Sequence, residues 1–419
     1  MQPTLPRSLS RLLPLLALLS SGFAAAQTSP WYIGASQTVT HESNLYRLAD
    51  GVAEPPGVSK SDTVYSTALL GGLDLPVSRQ RLYGTATLRA SRFQDNDVLD
   101  NDGYSLRAGI DWATINRLSG NLDLSANRNL ARFSTDTEIG VLTRQNIEDS
   151  QRLAATVRLG VVTQYTAEAS LEYQRTDYSA PEYNSRENRR TTGTLGLRWR
   201  PGGSNVFGAG LRHTDGEYPR FAAVAGGGFA ADNYTRTGLD LIANVEVGGA
   251  SRIDTRLTLG RTRYDLADQR DTSGVTGFVA WIWRPGAKLQ LDTRLSRDTG
   301  QDSFFSGSPL IDGAVDTSRT TTTLRLRADY AATAKIRLNA GLSHAQRDLV
   351  RTLPPTAFLP VNARGDDTTT EFTLGATWEP TRSVVVGCDV GHEKRSVDGV
   401  LSLPYSANRL SCYGQIFLR

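Results

Sequence analysis

The strongest constraint in this sequence is a period of two. Leu122, Leu124 and Ala126 alternate with Asn121, Asp123, Ser125 and Asn127. Leu153, Ala155, Val157 and Leu159 alternate with Arg152, Thr156 and Arg158, and Ala167, Ala169, Leu171 and Tyr173 alternate with Glu168, Ser170 and Glu172. The same rhythm runs through Leu289–Leu295 and Ile336–Leu342. Successive side chains of a strand point to opposite faces, so each segment is a strand with one apolar and one polar face. Alternation alone also fits a soluble sandwich. Segment length separates the two, because these runs reach about 12–15 residues where soluble strands average about 5–6. The connections also alternate. Short ones such as Ser78-Arg79-Gln80, Pro201-Gly202-Gly203 and Pro285-Gly286 take turns with long ones near 48–61, 95–102, 135–148, 179–188, 216–232, 299–316, 349–366 and 397–406. Short turns on one side and long loops on the other are the pattern of an outer-membrane barrel.

The predicted fold class is therefore all-β: a transmembrane, antiparallel outer-membrane β-barrel. It has about eighteen strands, from 31–41 to 407–419, and both termini face the periplasm. Sixteen strands is the alternative, because the segment 274–284 is apolar on both faces. Trp31, Trp112, Trp199, Trp281, Trp283 and Trp378 all fall at the short-turn end of their strands. Indole prefers the headgroup boundary, so this predicts an aromatic girdle at one level. Tyr46, Phe93, Tyr104, Tyr178, Tyr234 and Tyr264 fall at the opposite level.

Composition agrees by exclusion. Beyond the first 26 residues no apolar run approaches the roughly 18–20 residues of a membrane-spanning helix. Residues 1–26 read as a signal peptide: Arg7 and Arg11, the apolar Leu12–Leu19, then Ala24-Ala25-Ala26. Residues 27–419 form a single barrel domain. With 46 Lys+Arg against 43 Asp+Glu the chain lacks the charge excess of a nucleic-acid binder, and nucleic acid is not an expected partner. Two cysteines cannot build a disulfide scaffold or a zinc ribbon.

In a barrel of this size the polar face lines a water-filled lumen. The expected lining arginines are Arg89, Arg107, Arg158, Arg198, Arg256, Arg294, Arg325, Arg327 and Arg337, interspersed with acids such as Asp123, Glu168, Asp240, Asp292 and Glu371. Two readings stand side by side: ion pairs that stiffen the wall, or a lining selective for acidic sugars and other anions, which arginine grips in a bidentate fork. Folding the last hairpin about a loop centred near residue 402 places Cys388 opposite Cys412, which predicts a cross-strand disulfide.

Three rival chemistries are weak on their residues. His41 and Ser43 share a strand face, as a base and nucleophile of an outer-membrane lipase would, but no third residue orients the histidine. The oxygen-rich run Asp95–Gly103 does not match a complete calcium-loop spacing, and Gly226-Gly227-Gly228 does not lead from a strand into a helix. No metal and no cofactor is expected.

Glu42-Ser43-Asn44-Leu45-Tyr46-Arg47 follows the first strand. It resembles the (Asp/Glu)-Ser-Asn-(Leu/Ile)-(Phe/Tyr)-Arg element of the β-barrel porin-2 family, in particular outer-membrane proteins of exopolysaccharide-biosynthesis and exosortase systems. The resemblance implies a non-catalytic role in export or assembly of a surface exopolysaccharide, with acidic polysaccharide and periplasmic export proteins as partners. The alternative is a general diffusion porin for small or anionic solutes. Either way the chain would contact outer-membrane lipid and the barrel-assembly machinery, although Phe417 stands two residues short of the terminal aromatic position.

Overall fold

A computed structural model describes residues 29–133, 141–160, 163–224, 227–266, 270–299, 320–352 and 362–419. The leader read over 1–26 and most of the expected loop 299–316 lie outside them. Eighteen strands among the described residues join in one sheet. They are β1 (Trp31–Glu42), β2 (Asp62–Val77), β3 (Gln80–Phe93), β4 (Asn101–Ala113), β5 (Leu118–Leu130), β6 (Ile147–Leu159), β7 (Tyr165–Tyr178), β8 (Asn188–Gly202) and β9 (Asn205–Ala223). The second half continues with β10 (Phe229–Val247), β11 (Ser251–Tyr264), β12 (Thr272–Trp283), β13 (Leu289–Asp298), β14 (Thr320–Ala331), β15 (Ile336–Thr352), β16 (Asn362–Thr381), β17 (Val384–Asp398) and β18 (Tyr405–Leu418). Every strand pairs antiparallel with its sequence neighbours, and β1 pairs with both β2 and β18, so the sheet closes. Closure leaves the sheet no open edge, which lipid requires.

Alternation sorts the side chains. Ile33, Leu69, Leu88, Leu195, Leu211 and Ile416 stand exposed on the outer wall, as a lipid-facing surface demands. All six tryptophans share that outer face near the short-turn end, and Trp281 and Trp283 stack with centroids 5.6 Å apart. The aromatics of the other end do not form a matching girdle. Tyr46 and Tyr178 are buried against loop residues such as Leu48, Leu99 and Tyr183, and Tyr234 and Tyr264 against Tyr218 and Phe221 of β9.

One expected loop is largely strand and a second is partly so. The segment 216–232 is mostly the paired ends of β9 and β10, and 349–366 is extended into β15 and β16 as far as Thr352 and from Asn362. Pro219 falls where the β9–β10 register slips between the pairs Asp232–Tyr218 and Ala230–Ala222, so its missing N–H disrupts no regular ladder.

The last hairpin pairs Cys388 directly with Cys412, and their sulfurs are bonded. Both lie on the outward face, flanked by Val386, Val390, Leu410 and Ile416. The bond therefore ties β17 to β18, next to the β1–β18 closure. Chain unfolded without reductant should show no reactive thiol. A Cys388→Ser/Cys412→Ser barrel should still fold but be less stable by about 3 kcal/mol, seen as a lower temperature for loss of the compact band on SDS gels.

Candidate functional site

The nine predicted lining arginines all fall on the inward face by register. Among the described residues, five of them make these ion pairs along the wall. Glu168 bridges Arg158 at 2.8 Å and Arg198 at 2.6 Å, Arg107 reaches Asp123 at 3.3 Å, Arg327 holds Asp329 at 2.7 Å, and Arg337 holds Glu379 at 2.7 Å. Arg89 stands opposite Ala68 and Gly103. The remaining three, Arg256, Arg294 and Arg325, occupy one sector of the wall from β11 to β14. Arg256 is paired in register with Phe278, Arg294 lies 3.9 Å from the centre of the Phe278 ring, and Arg294 is directly opposed to Arg325. The register thus sets two guanidinium groups face to face on the inner wall beside the Phe278 ring.

The opposite polarity occurs two strands further on. Glu371 and Glu393 are also directly opposed, on β16 and β17. Here the charges are compensated. Arg47 approaches Glu393 at 3.2 Å, Arg409 approaches Glu371 at 3.6 Å, and Arg132, from the loop after β5, lies within electrostatic reach of both carboxylates and of Arg325. Arg132 therefore comes from the end of β5 to the wall on the other side of the ring, and its neighbour Phe133 packs against Tyr46 at the mouth. Arg212 with Asp240, paired at 2.7 Å, and the buried pair Arg347–Asp367 belong to the same inward ionic network. Neither Arg132 nor Phe278 was identified from sequence. Arg132 sits in a loop with no period to read, and Phe278 is the inward apolar residue that made 274–284 look apolar on both faces.

The six residues Glu42 to Arg47 are bound into the mouth. Ser43 Oγ accepts the backbone N–H of Asn408 at 2.8 Å. Asn44 donates to the carbonyls of Leu48 and Ser406 and accepts from the N–H of Leu48. Leu45 packs beside the cluster of Tyr46, Leu48 and Leu99, and the Tyr46 hydroxyl donates to Asn96 Oδ1 at 3.1 Å. Arg47, at a positive φ of 56°, donates to Glu42 at 2.7 Å and lies over the Tyr405 ring. Behind them the buried Asp62 carboxylate accepts the backbone N–H groups of Thr63, Gln94, Asp95 and Asn96. The segment thus ties β1 to β17 and β18 on one side and to the β3–β4 loop on the other.

The lipase pair is not assembled as a catalytic unit. His41 Nδ1 meets Thr63 Oγ1 at 3.1 Å, and the Ser43 oxygen is engaged with Asn408. In the acidic run after β3, Asp100 accepts the Phe93 N–H and Asp102 holds Arg92 at 2.9 Å, so these carboxylates serve the local fold.

No protein-family model and no curated protein sequence matches the chain. Solved structures do. Pseudomonas aeruginosa OccK2 (OpdF) is 12% identical, with 93% of this chain and 98% of that chain covered and a TM-score of 0.50. OccK3 (OpdO) of the same organism is 13% identical, covers 93% and 96%, and scores 0.48. At such identities the likeness is one of fold. With the closed sheet and its apolar outer band, the fold is a closed, antiparallel β-barrel of the Gram-negative outer-membrane type.

Two expectations follow from the mouth. Arg47→Ala leaves Glu42 without its ion-pair partner and takes one cation from Glu393. It should destabilise the folded barrel by about 1–3 kcal/mol, measured as a lower urea midpoint with faster proteolysis in the first loop. Burial, aided by the neighbouring Asp62, pushes the Tyr46 phenol up to about 12 from its ordinary 10.0. A raised phenol stabilises the fold fully below pH 10 and loses that contribution as pH rises toward 12. The urea midpoint should therefore fall over this range, and less steeply in Tyr46→Phe.

Proposed function

We propose that this barrel passes small anionic solutes across the outer membrane by diffusion, without catalysis. The observation that supports this reading best is the inward Arg256–Arg294–Arg325 sector beside Phe278. Guanidinium groups there offer planar, bidentate contact to carboxylates, and the aromatic face offers apolar contact to a solute's ring or chain. The acidic wall is neutralised by Arg47, Arg409 and Arg132, so the sector from β11 to β14 sets the sign of the field. A solute passing the mouth meets positive potential in a confined, partly desolvated space, where such a field acts strongly.

The exopolysaccharide reading rests on Glu42–Arg47. In the structure those residues hold the first loop and the closure of the sheet, a use that needs no polymer. They therefore favour the polymer reading no more than the small-solute one.

In planar bilayers under a salt gradient, the reversal potential should report preference for chloride over potassium. Gluconate should permeate better than a neutral sugar of similar size. Arg294→Ala/Arg325→Ala should lower anion preference severalfold while conductance persists. Cation preference in the wild type, or no change in the double variant, would remove the proposal.

A further inference from the structure

On the outward wall at the loop end, basic residues are mostly matched to acids. Arg92 is paired with Asp102 at 2.9 Å, Arg128 with Asp149 at 2.8 Å and Arg175 with Asp177 at 2.5 Å. The sector from β9 to β12 is different. Register places His213, Thr237, Arg261 and Ser273 side by side on four adjacent strands, all on the outward face. One step nearer the loops, Thr235 is opposed to Arg263. Among the described residues neither Arg261 nor Arg263 has an ion-pair partner, and the nearby Asp215 is engaged by His213 at 3.2 Å.

The row directly beneath is wholly apolar. Leu211, Leu239, Leu259 and Val275 are paired in register across the same four strands. A shallow outward groove of about 710 Å³ joins the two rows, lined by Leu211, Thr237, Leu259, Arg261 and Val275, with glycines between. Leu211 also borders a second outward groove of about 570 Å³, lined by Leu159, Leu195, Leu197 and Leu239. Apolar trench, hydroxyl row and unmatched guanidinium pair follow one another in the direction from hydrocarbon to headgroup.

From this order we infer a seat for a phosphate-bearing lipid of the outer leaflet. Its acyl chains lie over Leu211, Leu239, Leu259 and Val275, and its phosphate accepts from Arg261 and Arg263. The hydroxyls of Thr237 and Ser273 flank the phosphate. Two arginines two residues apart on one strand face suit a single phosphate group, and each basic group near an anionic headgroup adds attraction of the usual interfacial size. Cationic side chains at this height cost the barrel little, because the interface is wet.

The test is native mass spectrometry of the folded barrel exchanged into neutral detergent. The probes are the acylated, phosphorylated glucosamine disaccharide of the outer leaflet and its dephosphorylated form. The wild type should retain the phosphorylated lipid, and Arg261→Ala/Arg263→Ala should weaken its binding about thirtyfold. Arg261→Lys/Arg263→Lys should recover most of it, which separates loss of charge from loss of fold. Equal retention by the alanine variant, or equal binding of the dephosphorylated lipid, would overturn the proposal. So would full displacement by millimolar inorganic phosphate, which would make the site one for the free ion.

Discussion

Everything in this molecule depends on the backbone hydrogen bonds between β1 and β18. A sheet in lipid has no water to satisfy an open edge, and each unsatisfied group would cost several kcal/mol. Ten residue pairs, from Ile33–Leu418 to Glu42–Arg409, convert an open sheet into a wall with no edge. Once the wall is closed, the two faces of every strand acquire different solvents. The period of two in the sequence then becomes a division between lipid and lumen.

The closure is also the joint formed between residues most distant in sequence, and side-chain contacts reinforce the ladder there. Thr40 meets Ser411 at 2.9 Å across the seam on the inner face. At the mouth, Ser43, Asn44 and Arg47 engage Asn408, Ser406, Glu393 and Tyr405. Loop closure over the full chain carries a large entropic cost. Side-chain contacts clustered at the joint offset part of that cost where the ladder alone would fray.

The fold was largely legible because strand alternation is a direct consequence of lying between two solvents. The strand positions, the opposition of Cys388 and Cys412 and the level of the tryptophans all follow from counting residues along an extended chain. What could not be read depends on contacts between segments. Tyr46, Tyr178, Tyr234 and Tyr264 stand at the level opposite the tryptophans, but their burial is decided by partners from other segments, such as Leu99, Tyr183 and Tyr218. The inward reach of Arg132 has no periodic signature. The charges of the lumen were legible as a face, yet which arginines would pair and which would oppose one another depends on register between strands. Register is set by turn geometry and by slips such as the one at Pro219.

The orientation of the Cys388–Cys412 bond has a consequence for the protein's history. It points to hydrocarbon, where water-soluble oxidants and thiols do not go. A pair of cysteines cannot be joined there by aqueous chemistry after insertion, nor separated by it. The oxidation therefore belongs to the periplasmic stage of the chain, when β17 and β18 are still wet. The terminal hairpin would then reach the membrane already stapled, and the bilayer would preserve that covalent state for as long as the barrel stays folded.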